Sequence, residues 1–328
     1  MQKYSKWMRY SAINSYSTAV TGMGACRDKN IVIPEQHNGL AVIRIAQEAF
    51  RGNKNIESVI VPEGVRSVGA MAFKDCISLK EVHLPSTLDV IEDSAFEGCT
   101  ALKEVDLPKA VKWIQKSAFR GCNTLERINL NEVSIIRDDA FKGCVALDGV
   151  DIGLATSVAD YAFADCAALV DIRMPKNTCE VSVKAFENCG FMQSDRYKKS
   201  NVNVIDGWIV GCRSDEERYF VSAEVKGILY GAFDAAKRII RTPNPDYEEK
   251  KRLYDAEVFY YYHWYELGDV RPESKPTDPP KEFFEEKIPI VIHYSGEREA
   301  FKSILNLCSL SSHPFDVVFS DGSSQKLT

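Results

Sequence analysis

Apolar residues recur along this chain every 22 or 23 positions. The dipeptide Ala-Phe sets the register, with rings at Phe50, Phe73, Phe96, Phe119, Phe141, Phe163 and Phe186, then after a gap of 47 at Phe233. Other apolar positions keep step with it. Ile or Val stands five residues before each ring, as at Ile45, Val68, Ile91 and Ile114. Cysteine stands three residues after it at Cys76, Cys99, Cys122, Cys144, Cys166 and Cys189, with Asn53 in the first unit. Six after it comes Ile56, Leu79, Leu102, Leu125, Leu147, Leu169 or Met192, and then a V-x-L pair such as Val82 and Leu84. The unit reads I-x4-F-x2-C-x2-L-x2-V-x-L-P.

This spacing predicts an architecture. V-x-L has the period of a short strand with two side chains pointing inward, and identical strands from successive turns stack about 4.8 Å apart. The rest of each unit returns the chain along the opposite side, with short or 3₁₀ turns around Ala-Phe. One unit cannot bury its apolar face alone; stacking makes a continuous core with a spine of phenylalanines. The expected fold is a solenoid, an α/β-type right-handed superhelix. Its parallel β-sheet lies on the concave face, and short strands and 3₁₀ or α turns lie on the convex side.

The ends of the pattern differ from its middle. Residues 9–22 read as a hairpin around Asn14-Ser15, and Ile31 to Pro34 as a first solenoid strand, so 1–36 is expected to cap the N-terminal edge of the sheet. Residues 37–243 carry the repeats. Asp206-Gly207, between two apolar alternating runs, marks a hairpin inserted near 202–212. In 244–328, an aromatic strand is predicted at 258–262, an extended proline-rich loop after it, a strand in IPIVIHYSG, a short helix in GEREAFKSILNL and a last strand in FDVVFSDG. This part is expected to form a C-terminal cap that continues the sheet.

Composition narrows the chemistry. With 47 acidic and 41 basic side chains, the net charge of -6 argues against nucleic acid, which needs a basic field. No apolar run is long enough to span a bilayer, and residues 1–20 lack the apolar stretch of a signal peptide. As written, the chain reads as cytoplasmic. Ten cysteines occur, but no C-x-x-C pair. The six in register form a column of small hydrophobes poorly oriented for disulfides, so they are expected to be reduced. Cys26, Cys179, Cys212 and Cys308 lie outside that column. The five histidines are scattered, and neither a nucleophile context nor a phosphate-binding loop is present. The sequence therefore predicts no enzyme, no metal and no cofactor.

Binding is expected where the strands face outward. Residues flanking the inward pair form rows across the repeats, and the candidate ligand-binding set is Glu81, His83, Glu104, Asp106, Arg127, Asn129, Asp151, Asp171 and Arg173. Such repeated outward positions are what solenoids offer to partners. The expected partner is a protein, bound by a monomer. The alternative is a glycan or glycoprotein held by the C-terminal aromatics Tyr260, Tyr262 and Trp264.

The repeats, for example VIEDSAFEGCTALKEVDLP at 90–108, resemble those of the BspA-like (Treponema pallidum-type) leucine-rich-repeat family. MRYSAINSYSTAVTGMG followed by IVIPEQHNGLAVIRIAQEAF resembles the opening segment of these proteins. DGWIVG with VKGILYGAF resembles their hairpin-bearing repeat. IHYSGEREAFKSI with VVFSDG resembles their closing unit, where Trp often replaces Phe301. The resemblance implies a leucine-rich-repeat solenoid without shared catalytic residues. It also implies adhesion or protein binding at a bacterial cell surface or outside the cell, if a leader has been removed.

Overall fold

A computed structural model describes residues 4–175, 180–182, 184–193 and 251. Further along it describes 202–206, 208–212, 218–221, 227–228, 238–243, 283–288, 290–294, 315–319, 321 and 323–327. The repeats form a parallel-strand β-solenoid in which each coil contributes two short strands. In chain order these are β1 (Arg9–Ala12), β2 (Ser17–Gly22), β3 (Asn30–Val32), β4 (Gln36–His37), β5 (Leu40–Ile45), β6 (Ser58–Ile60), β7 (Ser67–Val68), β8 (Glu81–His83) and β9 (Val90–Ile91). There follow β10 (Glu104–Val105), β11 (Trp113–Ile114), β12 (Arg127–Ile128), β13 (Ile135–Ile136), β14 (Gly149–Asp151), β15 (Ser157–Val158), β16 (Asp171–Arg173) and β17 (Glu180–Val181).

The isoleucine and valine five residues before each ring build the first ladder. Strands β2, β5, β7, β9, β11, β13, β15 and β17 pair in parallel, with Ile45, Val68, Ile91, Ile114, Ile136, Val158 and Val181 in register. β1 closes its N-terminal edge as an antiparallel hairpin with β2, around the predicted Asn14-Ser15 turn. The V-x-L segments build the second ladder, in three hydrogen-bonded pieces: β3-β6-β8, β10-β12 and β14-β16. Ser5 covers the free edge of β3, its amide donating to Val32 O at 2.9 Å and its Oγ accepting from Val32 N at 3.1 Å.

Between the ladders the Ala-Phe segment turns without forming a helix; among the described residues up to 193 only Gly190–Gln193 is a 3₁₀ turn. The amides explain why. Ala72, Lys74 and Cys76 donate three residues back within their own turn, whereas Met71, Phe73 and Asp75 donate to Asp93, Ala95 and Glu97 of the next coil. Alternate amides thus serve the turn and the stack, and none remains for a helical run. This geometry needs a left-handed residue two positions after the ring. The sequence supplies Gly52, Asp75, Gly98, Gly121, Gly143, Asp165 and Asn188 there, at φ between 58° and 75°. These are the residue types that tolerate that region.

The core is continuous from coil to coil. Phe50 to Phe186 stack at centroid spacings of 5.0–5.5 Å and interplanar angles of 3–9°. Phe191 closes this run edge-on against Phe186, at 6.3 Å and 73°.

Beyond residue 193 the predicted hairpin is present: Val202–Ile205 pairs antiparallel with Trp208–Cys212, which pairs in parallel with Gly227–Ile228. Arg218–Val221, Ile290–Tyr294, Phe315–Phe319 and Ser324–Leu327 form a four-stranded sheet. Arg238–Pro243 pairs antiparallel with Phe283–Ile288, a strand the sequence pattern does not announce. The expected strand at 258–262, the expected helix and the turn at Phe233 lie outside the described residues.

Candidate functional site

The inward residues of the second ladder fix which side chains face out. Val82, Val105, Ile128, Val150 and Ile172 point into the core. Strand alternation then places Glu81, His83, Glu104, Asp106, Arg127, Asn129, Asp151, Asp171 and Arg173 on the opposite side. There they line two adjoining hollows. One, of about 760 Å³, is bounded by Lys80, Glu81, Val82, His83, Leu84, Lys103, Glu104 and Asp106. The other, of about 690 Å³, runs from Glu104 and Asp106 through Arg127, Asn129, Asn131, Gly149 and Asp151 to Asp171 and Arg173. Because Glu104 and Asp106 belong to both, the hollows make one groove across five coils. All nine sequence-predicted residues stand in it.

Several of these residues already have partners in the chain. Arg127 forms an ion pair with Glu104 of the preceding coil, and Arg173 with Asp151 at 3.0 Å. Each carboxylate holds its arginine's pKa above the usual value through a hydrogen bond and its charge. His83 Nε2 lies 3.9 Å from Glu81, both side chains being more than 60% exposed. At the groove's edge, Glu57 accepts from Lys80 and Lys29 and is held down to about 2 by those hydrogen bonds and charges. Asn129 serves the fold: its Oδ1 accepts from Leu107 N at 2.6 Å and its Nδ2 donates to Leu107 O at 3.3 Å. Asp106 forms no hydrogen bond or ion pair among the described residues.

This groove is built from a repeat that is itself diagnostic. The family described as BspA type leucine rich repeat region matches in six copies, over residues 43–155 and 136–243. The chain belongs to the BspA-type leucine-rich-repeat family. A solved structure of a T. pallidum leucine-rich-repeat protein is 28% identical, superposes with a TM-score of 0.55, and covers 61% of this chain and 94% of its own. A leucine-rich-repeat protein from Bacteroides ovatus is 21% identical with a TM-score of 0.48, covering 71% of this chain and 69% of its own. No curated protein matches.

In this BspA-type chain the cysteine column has a second role that the sequence reading did not include. Cys76, Cys99, Cys122, Cys144, Cys166 and Cys189 are buried and free, and each Sγ donates to the carbonyl of the phenylalanine one coil back, at 3.1–3.3 Å. That carbonyl also accepts an amide of its own coil, from Asn53 at Phe50 and from the column cysteine at the others, so both lone pairs are used. Burial pushes every one of these thiols up; Cys76, Cys122 and Cys189 reach about 12. Neutral thiols of this kind are poor nucleophiles and poor metal ligands. Cys26 is likewise buried and free.

The first ladder carries an outward row that sequence reasoning missed. Val90, Trp113 and Ile135 stand side by side on three neighbouring strands, with Trp113 half exposed. The signal was a tryptophan one position before the inward Ile114. Among the described residues, no group of three or more His, Cys, Asp or Glu could hold a metal ion, and no helix is long and apolar enough to cross a membrane. Tyr260, Tyr262 and Trp264, together with Cys179 and Cys308, lie outside the described residues.

Proposed function

We propose that this leucine-rich-repeat chain is a non-catalytic binding module of adhesion or scaffold type, which holds a protein ligand in the groove of its second ladder. Family membership supports an interaction role. The carrying observation is the convergence of all nine outward residues on one continuous groove of several hundred cubic ångströms. Its strands are rigid because each is anchored by a core residue no more than 8% exposed. A rigid groove lowers the conformational cost of binding.

The test compares three variants. Gly149→Trp fills the groove; a Cβ there meets only ordinary contacts with Asp171, at 3.4 Å and beyond, so the fold can accept it. Glu104→Lys with Asp106→Lys reverses the charge where the hollows meet. Trp113→Ala alters the first ladder only. A protein captured by the wild type is expected to be lost with the first two and retained with the third, measured by quantitative mass spectrometry. Retention by the two groove variants, with loss at Trp113→Ala, would move the site to the other face.

A further inference from the structure

The groove also specifies the chemistry of what it takes. This step rests on the binding reading above. Its own cations are largely committed: Arg127 to Glu104, Arg173 to Asp151 and Lys80 to Glu57. Three carboxylates are left over. Asp106 has no partner among the described residues, Glu81 meets only His83, and Asp171 is near Arg173, whose hydrogen bond goes to Asp151. Lys103 is the one groove cation without an ion pair among the described residues. The remainder is acidic, so it repels phosphate and attracts cationic side chains.

The hollows also coincide with a feature of the ladder itself. The hydrogen-bonded second ladder is interrupted between β8 and β10 and again between β12 and β14, although these strands remain neighbours. One hollow lies over each interruption.

Spacing sets the register. Successive rings are 5.0–5.5 Å apart, and Asp106 and Asp171 are three coils apart. Three coils span roughly 15–17 Å, which an extended chain at about 3.3 Å per residue covers in about five residues. We propose that the groove binds an extended polypeptide segment lying along the stack, with one lysine or arginine at Asp106 and another four or six residues away at Asp171, the even spacings that put both side chains on one face of an extended chain.

The experiment pans a phage-displayed random dodecapeptide library on the full chain. Selected sequences are expected to be enriched in Lys or Arg pairs four or six residues apart. A synthetic selected peptide, followed by fluorescence anisotropy, should bind Asp106→Lys/Asp171→Lys about tenfold more weakly than wild type, and more weakly as salt rises. Both positions are on the exposed side of the strands, and circular dichroism checks that the variant folds. Absence of any enrichment, enrichment without basic residues, or unchanged affinity in the charge-reversed variant overturns the proposal. Gly149→Trp separates the two levels. If it abolishes selection while charge reversal leaves affinity unchanged, the groove stands and the cationic ligand falls. If it leaves selection intact, the groove itself is not the site.

Discussion

Replacing Phe119 with alanine is expected to destabilise the solenoid by about 3–5 kcal/mol, the range for deleting a buried aromatic ring. The ring is fully buried between Phe96 at 5.3 Å and Phe141 at 5.5 Å, nearly parallel to both. Its loss removes apolar burial and two stacking contacts together, and neighbours fixed by backbone bonds on either side cannot close the gap. The consequence goes beyond one coil. A repeat array is held by nearest-neighbour interfaces, so a weak central interface uncouples the coils before it from those after it. Chemical denaturation followed by circular dichroism should show a lower midpoint and a broadened or split transition. An unchanged midpoint would mean that the spine is not a stabilising column.

Alkaline pH is expected to unfold the protein steeply. The column thiols have folded-state pKa values raised by burial, to about 12 at Cys76, Cys122 and Cys189. In the unfolded chain a thiol ionises near 8.5. Above that value the unfolded state has released protons that the folded state keeps. The stability held by the neutral thiols is therefore complete below about pH 8.5 and is lost as pH rises toward the folded values. Each such thiol removes about 1.4 kcal/mol per pH unit in that window, so three remove about 4, and Cys99, Cys144 and Cys166 act in the same direction. A stability of about 5–15 kcal/mol would be exhausted before pH 11. Denaturation at a series of pH values under reducing conditions measures this slope, and Cys122→Ala should make it shallower by one thiol's share. Constant stability up to pH 10.5 would refute the buried, protonated column.

These consequences were only partly readable in the sequence. Side chains that repeat in type and spacing were fully legible, because stacked coils place identical residues in columns: Phe119, Ile114, Leu125 and Cys122 each reveal a position. Backbone devices were less legible. The turns around Ala-Phe were expected to be short or 3₁₀, but their alternate amides bond to the next coil, and no local propensity reports an acceptor 22 residues away. The left-handed position two after the ring did leave a trace, in a column of Gly, Asp and Asn. Of the nine candidate site residues, Asn129 shows the limit of the method. It occupies an outward position by register, yet its amide holds Leu107, a partner in another coil that periodicity cannot assign. The groove's two ladder interruptions have no sequence signature that we can identify. Trp113, by contrast, was visible as an aromatic at an outward position but belonged to a strand of only two residues, too short for an alternating pattern to expose.

The central claim, that the second ladder and not the first receives the ligand, is tested most directly by site-specific photocrosslinking. A benzophenone side chain is placed at position 106 in the groove, or at position 113 on the outward row of the first ladder. The account predicts a covalent adduct with a polypeptide from position 106 and none from position 113. Adducts from 113 with none from 106 would contradict it.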